Sequence, residues 1–111
     1  MRRWKLVVRT GGEVEHERFG DAPSALAAAE ERWQELVRKA GAQAIDLKVR
    51  RFEAAEQVVG RVELSGPGRT RAGIDVHGDG SSQAYTGFVR RRALPSAPRE
   101  SAFDALRHAV R

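Results

Sequence analysis

The segment Asp21 to Gly41 is the longest run of the chain with one clear period, and it constrains the fold most. Ala22, Leu26, Ala29, Trp33, Val37 and Ala40 recur at spacings of four and three, which is a single apolar stripe on a 3.6-residue helix. Asp21 stands at the N-cap, Pro23 in the first turn where a missing N–H costs nothing, and Gly41 where a left-handed C′ residue would close the helix. Arg38 and Lys39 would then occupy the last turn, with Glu35 to Lys39 as an i,i+4 pair.

The flanking segments alternate with period two. Trp4, Leu6 and Val8 alternate with Arg3, Lys5, Val7 and Arg9, and Val14 to Phe19 runs back after Gly11-Gly12. A two-residue turn would set Glu15 against Val8 and Glu17 against Leu6, with carboxylates on the core face. A three-residue turn over Gly11, Gly12 and Glu13 sets Glu15 against Arg9, so the charge pattern favours the longer turn. Ile45, Leu47 and Val49 alternate with Asp46, Lys48 and Arg50 as a third strand ending near Phe52. Val58 to Leu64 and Thr70 to Val76 read as a fourth and fifth, joined by the Ser65-Gly66-Pro67-Gly68 turn. Gly78 to Ser82 is a further turn, Gln83 to Arg91 a sixth strand, and Ala93 to Pro98 a loop. Ser101 with Asp104 three residues on has capping-box spacing, and Phe103, Leu106 and Val110 continue a short amphipathic helix over about 101–110.

The order ββαββββα predicts an α+β domain. It is a twisted antiparallel sheet of about six strands, with one long helix (about 22–40) on one face and a short C-terminal helix. A chain of 111 residues, 41% hydrophobic and 32% charged, supports one domain over 1–111 with one core. The absence of cysteine excludes a disulfide scaffold, a thiol nucleophile and a cysteine zinc site. The N-terminus lacks the apolar run of a signal peptide, and no stretch approaches the roughly 20 residues of a membrane span. A cytoplasmic protein with no membrane partner is expected.

No constellation of catalytic residues stands out. Asp75, His77 and Asp79 alternate before Gly80 like the start of a calcium loop, but Thr86 occupies the position of the required bidentate acid, so a hairpin turn is the simpler reading. His16, His77 and His108 lie on three different elements, and the serines sit at caps and turns. The expectation is a protein that is not an enzyme and takes no cofactor or metal.

The collective feature is charge. The net charge is +5, and residues 66–111 carry eight cations against four anions. An arginine-rich, lysine-poor composition can reflect genome bias as well as a polyanionic partner. The sheet face away from the helix would present Lys5, Arg9, Lys48, Arg50, Arg61, Arg69 and Arg71, shared with Phe52 and Tyr85, and Arg90, Arg91 and Arg92 follow as a local run. Such a face can bind single-stranded nucleic acid. The same face would also hold Glu15, Glu17, Asp46, Glu63 and Asp75, so a salt-bridge ladder is favoured. Three readings of function follow. The first is a small non-enzymatic interaction protein, a homodimer through its last helix or an edge strand. The second is a nucleic-acid-binding module using Lys5, Arg9, Lys48, Arg50, Arg69, Arg71 and Arg90 to Arg92. The weakest is a small-ligand or catalytic domain with a pocket between sheet and helix, which a deep cavity lined by His77 or Tyr85 would support.

Overall fold

The computed structural model describes residues 3–46, 57–68, 70–87, 91–95 and 101–110. Its elements are β1 (Trp4–Thr10), β2 (Glu13–Phe19), α1 (Ala22–Asp46), β3 (Val58–Ser65), β4 (Arg71–His77), β5 (Ser82–Thr86), β6 (Arg92–Leu94) and α2 (Ala102–Val110). The strands form one antiparallel sheet in the order β2-β1-β3-β4-β5-β6. The expected α+β class and element order are therefore present.

Period-two alternation divides the sheet into two faces. Leu6, Val8, Val62, Leu64, Ala72, Ile74, Val76 and Ala84 point one way and pack against Ala25, Leu26, Ala29, Leu36 and Ala40 of α1. The helical stripe is thus wider than the sequence reading, gaining Ala25 and Leu36. At Gly60 a bulge in β3 brings backbone so near α1 that an added Cβ would lie 3.0 Å from the Leu36 methyls. α2 packs on the same face, chiefly against β4 and β5, and buries Phe103, Ala105 and Leu106. Full burial of Phe103 and Leu106 contributes about 1.5–3 kcal/mol each. The Phe103 ring stacks on Trp33 with centroids 5.6 Å apart, and Trp33 Nε1 donates to Ser82 Oγ at 2.8 Å, which locks α1, α2 and β5 together. Arg107 ties the helices by donating to Glu30 at 2.9 Å. The last helix therefore spends Phe103, Ala105 and Leu106 on its own sheet.

Both caps are as read. Asp21 Oδ1 accepts the Ser24 N–H at 2.8 Å. Ser101 Oγ accepts the Asp104 N–H at 3.1 Å, while Asp104 Oδ2 accepts the Ser101 N–H at 3.2 Å.

Three local expectations are corrected. First, α1 runs through Gly41 to Asp46, and Gly41 is not among the positive-φ glycines, so it is no C′ residue and Arg38 and Lys39 are not terminal. The strong helix formers Ala40, Ala42 and Ala44 carry the helix across it at a cost of about 1 kcal/mol. Ile45 and Asp46 are consequently helical; the rest of the expected third strand, 47–52, lies outside the described residues. Glu35 pairs with Arg32 at 3.4 Å. Second, the first hairpin turns in two residues, with Thr10 opposite Glu13, and Glu15 and Glu17 opposite Val8 and Leu6. Gly11 has φ +57°, as the first central residue of a type II′ turn requires. The glutamates do face the helix side, yet β2 is an edge strand whose residues are exposed through Arg18, and Arg32 of α1 reaches out to pair with Glu15. Third, Gln83 to Arg91 is not one strand. β5 ends at Thr86, Gly87 takes φ +77°, Arg91 precedes β6, and Arg92–Leu94 pairs back on β5 where a loop was expected.

Candidate functional site

The face away from the helices holds three rows of side chains set by the cross-strand register. The first is Val14, Arg9, Arg61, Asp75 and Gln83. The second is His16, Val7, Glu63, Gly73, Tyr85 and Ala93. The third is Arg18, Lys5, Ser65 and Arg71.

The first two rows form a paired ladder. Arg9 Nε donates to Glu63 Oε1 at 2.8 Å, and Arg61 Nε to Asp75 Oδ1 at 2.6 Å. Arg9 and Arg61 oppose each other directly, but each has its own acid, and the Asp75 hydrogen bond raises the Arg61 pKa further. Beside them Tyr85 is only 3% exposed. The Arg91 guanidinium lies 4.8 Å above its ring, and Gly73 lies beneath it, where an added Cβ would come 3.0 Å from Cε1 and nearer still to Cζ. The Tyr85 hydroxyl is buried and has no hydrogen-bond partner among the described residues. Burial, then the nearby Asp75 and Glu63 charges, push its pKa up to about 12. This ring is closed to a stacking base.

The third row differs. Lys5 stands directly opposite Arg18, and across Ser65 from Arg71, with no carboxylate in the row. Arg18 and Arg71 are exposed and Lys5 is half-buried. Three inter-strand spacings separate Arg18 from Arg71, about 14 Å. Arg3, just before β1, and Arg91 and Arg92, at the start of β6, are exposed at the same end of the sheet. Arg3, Lys5, Arg18, Arg71, Arg91 and Arg92 thus lie at one end of the sheet.

The expected basic residues separate accordingly. Lys5 and Arg71 share the third row. Arg9 is spent on Glu63, Arg91 covers Tyr85, and Arg92, paired with Thr86, stands on the helix side. Lys48, Arg50, Arg69 and Arg90 lie outside the described residues. Glu15 and Glu17, expected on the open face, are on the other one. Arg18 was hidden by the hairpin register, since a turn one residue longer would have set it opposite Leu6. A two-residue turn carrying Gly at its first position was the signal that could have found it.

The remaining candidates dissolve into turn chemistry. Asp79 Oδ1 accepts the Ser81 hydroxyl at 2.6 Å and the Ser81 N–H at 2.9 Å, bonds that hold its pKa below the ordinary carboxylate range. Ser81 Oγ also lies 3.4 Å from His77 Nδ1, but its proton is already given to Asp79, so His77 is not placed to take it. A cleft of about 570 Å³ opens between α1 and the sheet near the bulge, lined by Thr10, Gly11, Leu36, Lys39, Ala40, Val58 and Val59. Neither His77 nor Tyr85 lines it. No described helix is long and apolar enough to cross a membrane. Compared with known proteins, the chain matches no family model, no curated protein sequence and no solved structure.

Proposed function

We propose that the protein is a non-enzymatic binding module that engages the phosphate backbone of nucleic acid through the basic pole of its open sheet face. One observation carries this reading: Lys5 and Arg18 are directly opposed like charges with no acid in their row. Such a pair lowers stability by some tenths of a kcal/mol. The other like-charge opposition on the face, Arg9 with Arg61, is neutralised on both sides. A polyanion would supply the counter-charge that the opposed Lys5 and Arg18 lack in their row, and each phosphate contact would add about −0.7 to −0.9 to the slope of log K against log salt.

Fluorescence anisotropy with labelled single-stranded and duplex RNA and DNA at two salt concentrations tests it. Binding should weaken steeply with salt, and Lys5→Gln with Arg18→Gln should reduce the slope by roughly 1.5 units. Arg38→Gln, exposed on α1, should leave the slope unchanged. Absence of binding to every probe at low salt overturns the reading.

A further inference from the structure

The two edges of the sheet are not equivalent. Among the described residues β6 has three, a short edge that offers little to pair with, whereas β2 presents seven beside β1 alone. Every second residue of β2 turns its N–H and C=O away from β1, so the strand offers an open ladder of main-chain donors and acceptors. Its side chains sort by face. Glu13, Glu15 and Glu17 stand on the helix side, and Val14, His16 and Arg18 on the other, all exposed.

That pattern excludes one occupant and fits another. Antiparallel pairing of β2 with a second copy, centred on His16, sets Glu15 against Glu17 twice. Shifting the centre to Glu15 or Glu17 sets that residue against its own copy. Like charges directly opposite destabilise a ladder, so the strand is self-repelling in its central registers. Arg32 already pairs with Glu15 and also feels Glu17, but it cannot neutralise three carboxylates.

We infer that the β2 edge takes an extended segment of another protein in antiparallel pairing, with lysine or arginine at alternate positions facing Glu13, Glu15 and Glu17. On the opposite face that segment carries an acid against Arg18 and an apolar residue against Val14. The main chain supplies the bonds, and the charge row sets partner and register. The surface shares Arg18 with the basic pole, but its three glutamates stand on the other face and its test uses no nucleic acid.

The test is titration of the full, nitrogen-15-labelled chain with a synthetic peptide, blocked at both ends. Its sequence is valine, glutamate, lysine, threonine, lysine, valine, lysine. Saturable amide shifts and slowed hydrogen exchange should be confined to β2 and the neighbouring Arg32. Glu13→Lys with Glu17→Lys, both exposed positions that leave the Arg32–Glu15 pair intact, should weaken binding about tenfold. The same peptide with glutamates for lysines should not bind. Equal binding of the two peptides, or no shifts at millimolar peptide, overturns the inference. So does β2 protection that grows with protein concentration alone, which would make a second copy the occupant.

Discussion

Substitution of Gly41 by alanine discriminates between two readings of the same residue. As a left-handed C′ residue, Gly41 would resist alanine, which is strained at positive φ by about 1 kcal/mol. As an interior helical residue, which the structure shows, it lowers helix stability by about 0.5–1 kcal/mol relative to alanine. Space decides whether that gain is realised. A Cβ built at Gly41 meets nothing within 4 Å, although the β4–β5 turn passes nearby, a Cβ at Gly80 falling 3.9 Å from the Gly41 nitrogen. Gly41→Ala should therefore stabilise the protein by about 0.5–1 kcal/mol, raising Tm by roughly 4 °C in a domain of this size. Urea denaturation should show a higher midpoint with an unchanged m-value. A lower midpoint would refute the continuous helix and place the helix end at Gly41. Because the two readings differ in sign, the measurement does not rest on the accuracy of either magnitude.

Two pH experiments read other parts of the fold. Tyr85 is the single tyrosine, so a tyrosinate absorbance titration reports it alone. Its pKa is raised from 10.0 to about 12, so the folded state holds the neutral phenol, and stability is lost as pH rises from about 10 towards 12; a midpoint at 10 in the folded protein would refute its burial. At the other end of the scale, the Ser24 N–H and then its hydroxyl hold the Asp21 carboxyl below its ordinary 3.8. A depressed folded pKa contributes stability above the unfolded value, lost as pH falls through the folded one. Asn also caps but does not titrate, so Asp21→Asn should match the parent at neutral pH and lose stability less steeply below about pH 4. Parallel acid-denaturation curves would show that the cap does not titrate with folding.

What could be read from the sequence was what neighbours in the chain decide. The Asp21 cap, the Ser101–Asp104 box, the apolar stripe of α1 and the alternation of β1, β3 and β4 each depend on residues within one element. What could not be read depends on groups distant in sequence. Glutamates opposite Val8 and Leu6 look forbidden within the hairpin, and become acceptable once β2 is an edge strand and Arg32, more than a dozen residues away, meets Glu15. Pairing of β1 with β3 brings Arg9 to Glu63, a bond between residues 54 apart that no local pattern announces. Gly41 carries the usual mark of a helix end, and only the alanines around it carry the helix on. On the candidate site, Lys5 and Arg71 were visible as outward residues of their strands, whereas their neighbour Arg18 depended on the hairpin register.

That register also explains how one small sheet keeps its charges apart. In the two-residue turn, Glu13, Glu15 and Glu17 fall on the helix side and Arg18 on the open side beside Lys5. One added residue would exchange them, placing Glu15 opposite Arg9 and Arg18 opposite Leu6. The open face would then gain carboxylates and the basic row would lose one end, while the β2 edge would present a different charge pattern to any incoming strand. Cross-strand attraction alone favours that arrangement, so the observed register gives up local pairing. The polar separation it produces is maintained from outside the hairpin: Arg32 on α1 holds the acidic side, and Gly11 at φ +57° holds the tight turn. Both proposed surfaces therefore follow from the same backbone choice at Gly11, and a chain that relaxed the turn would weaken both.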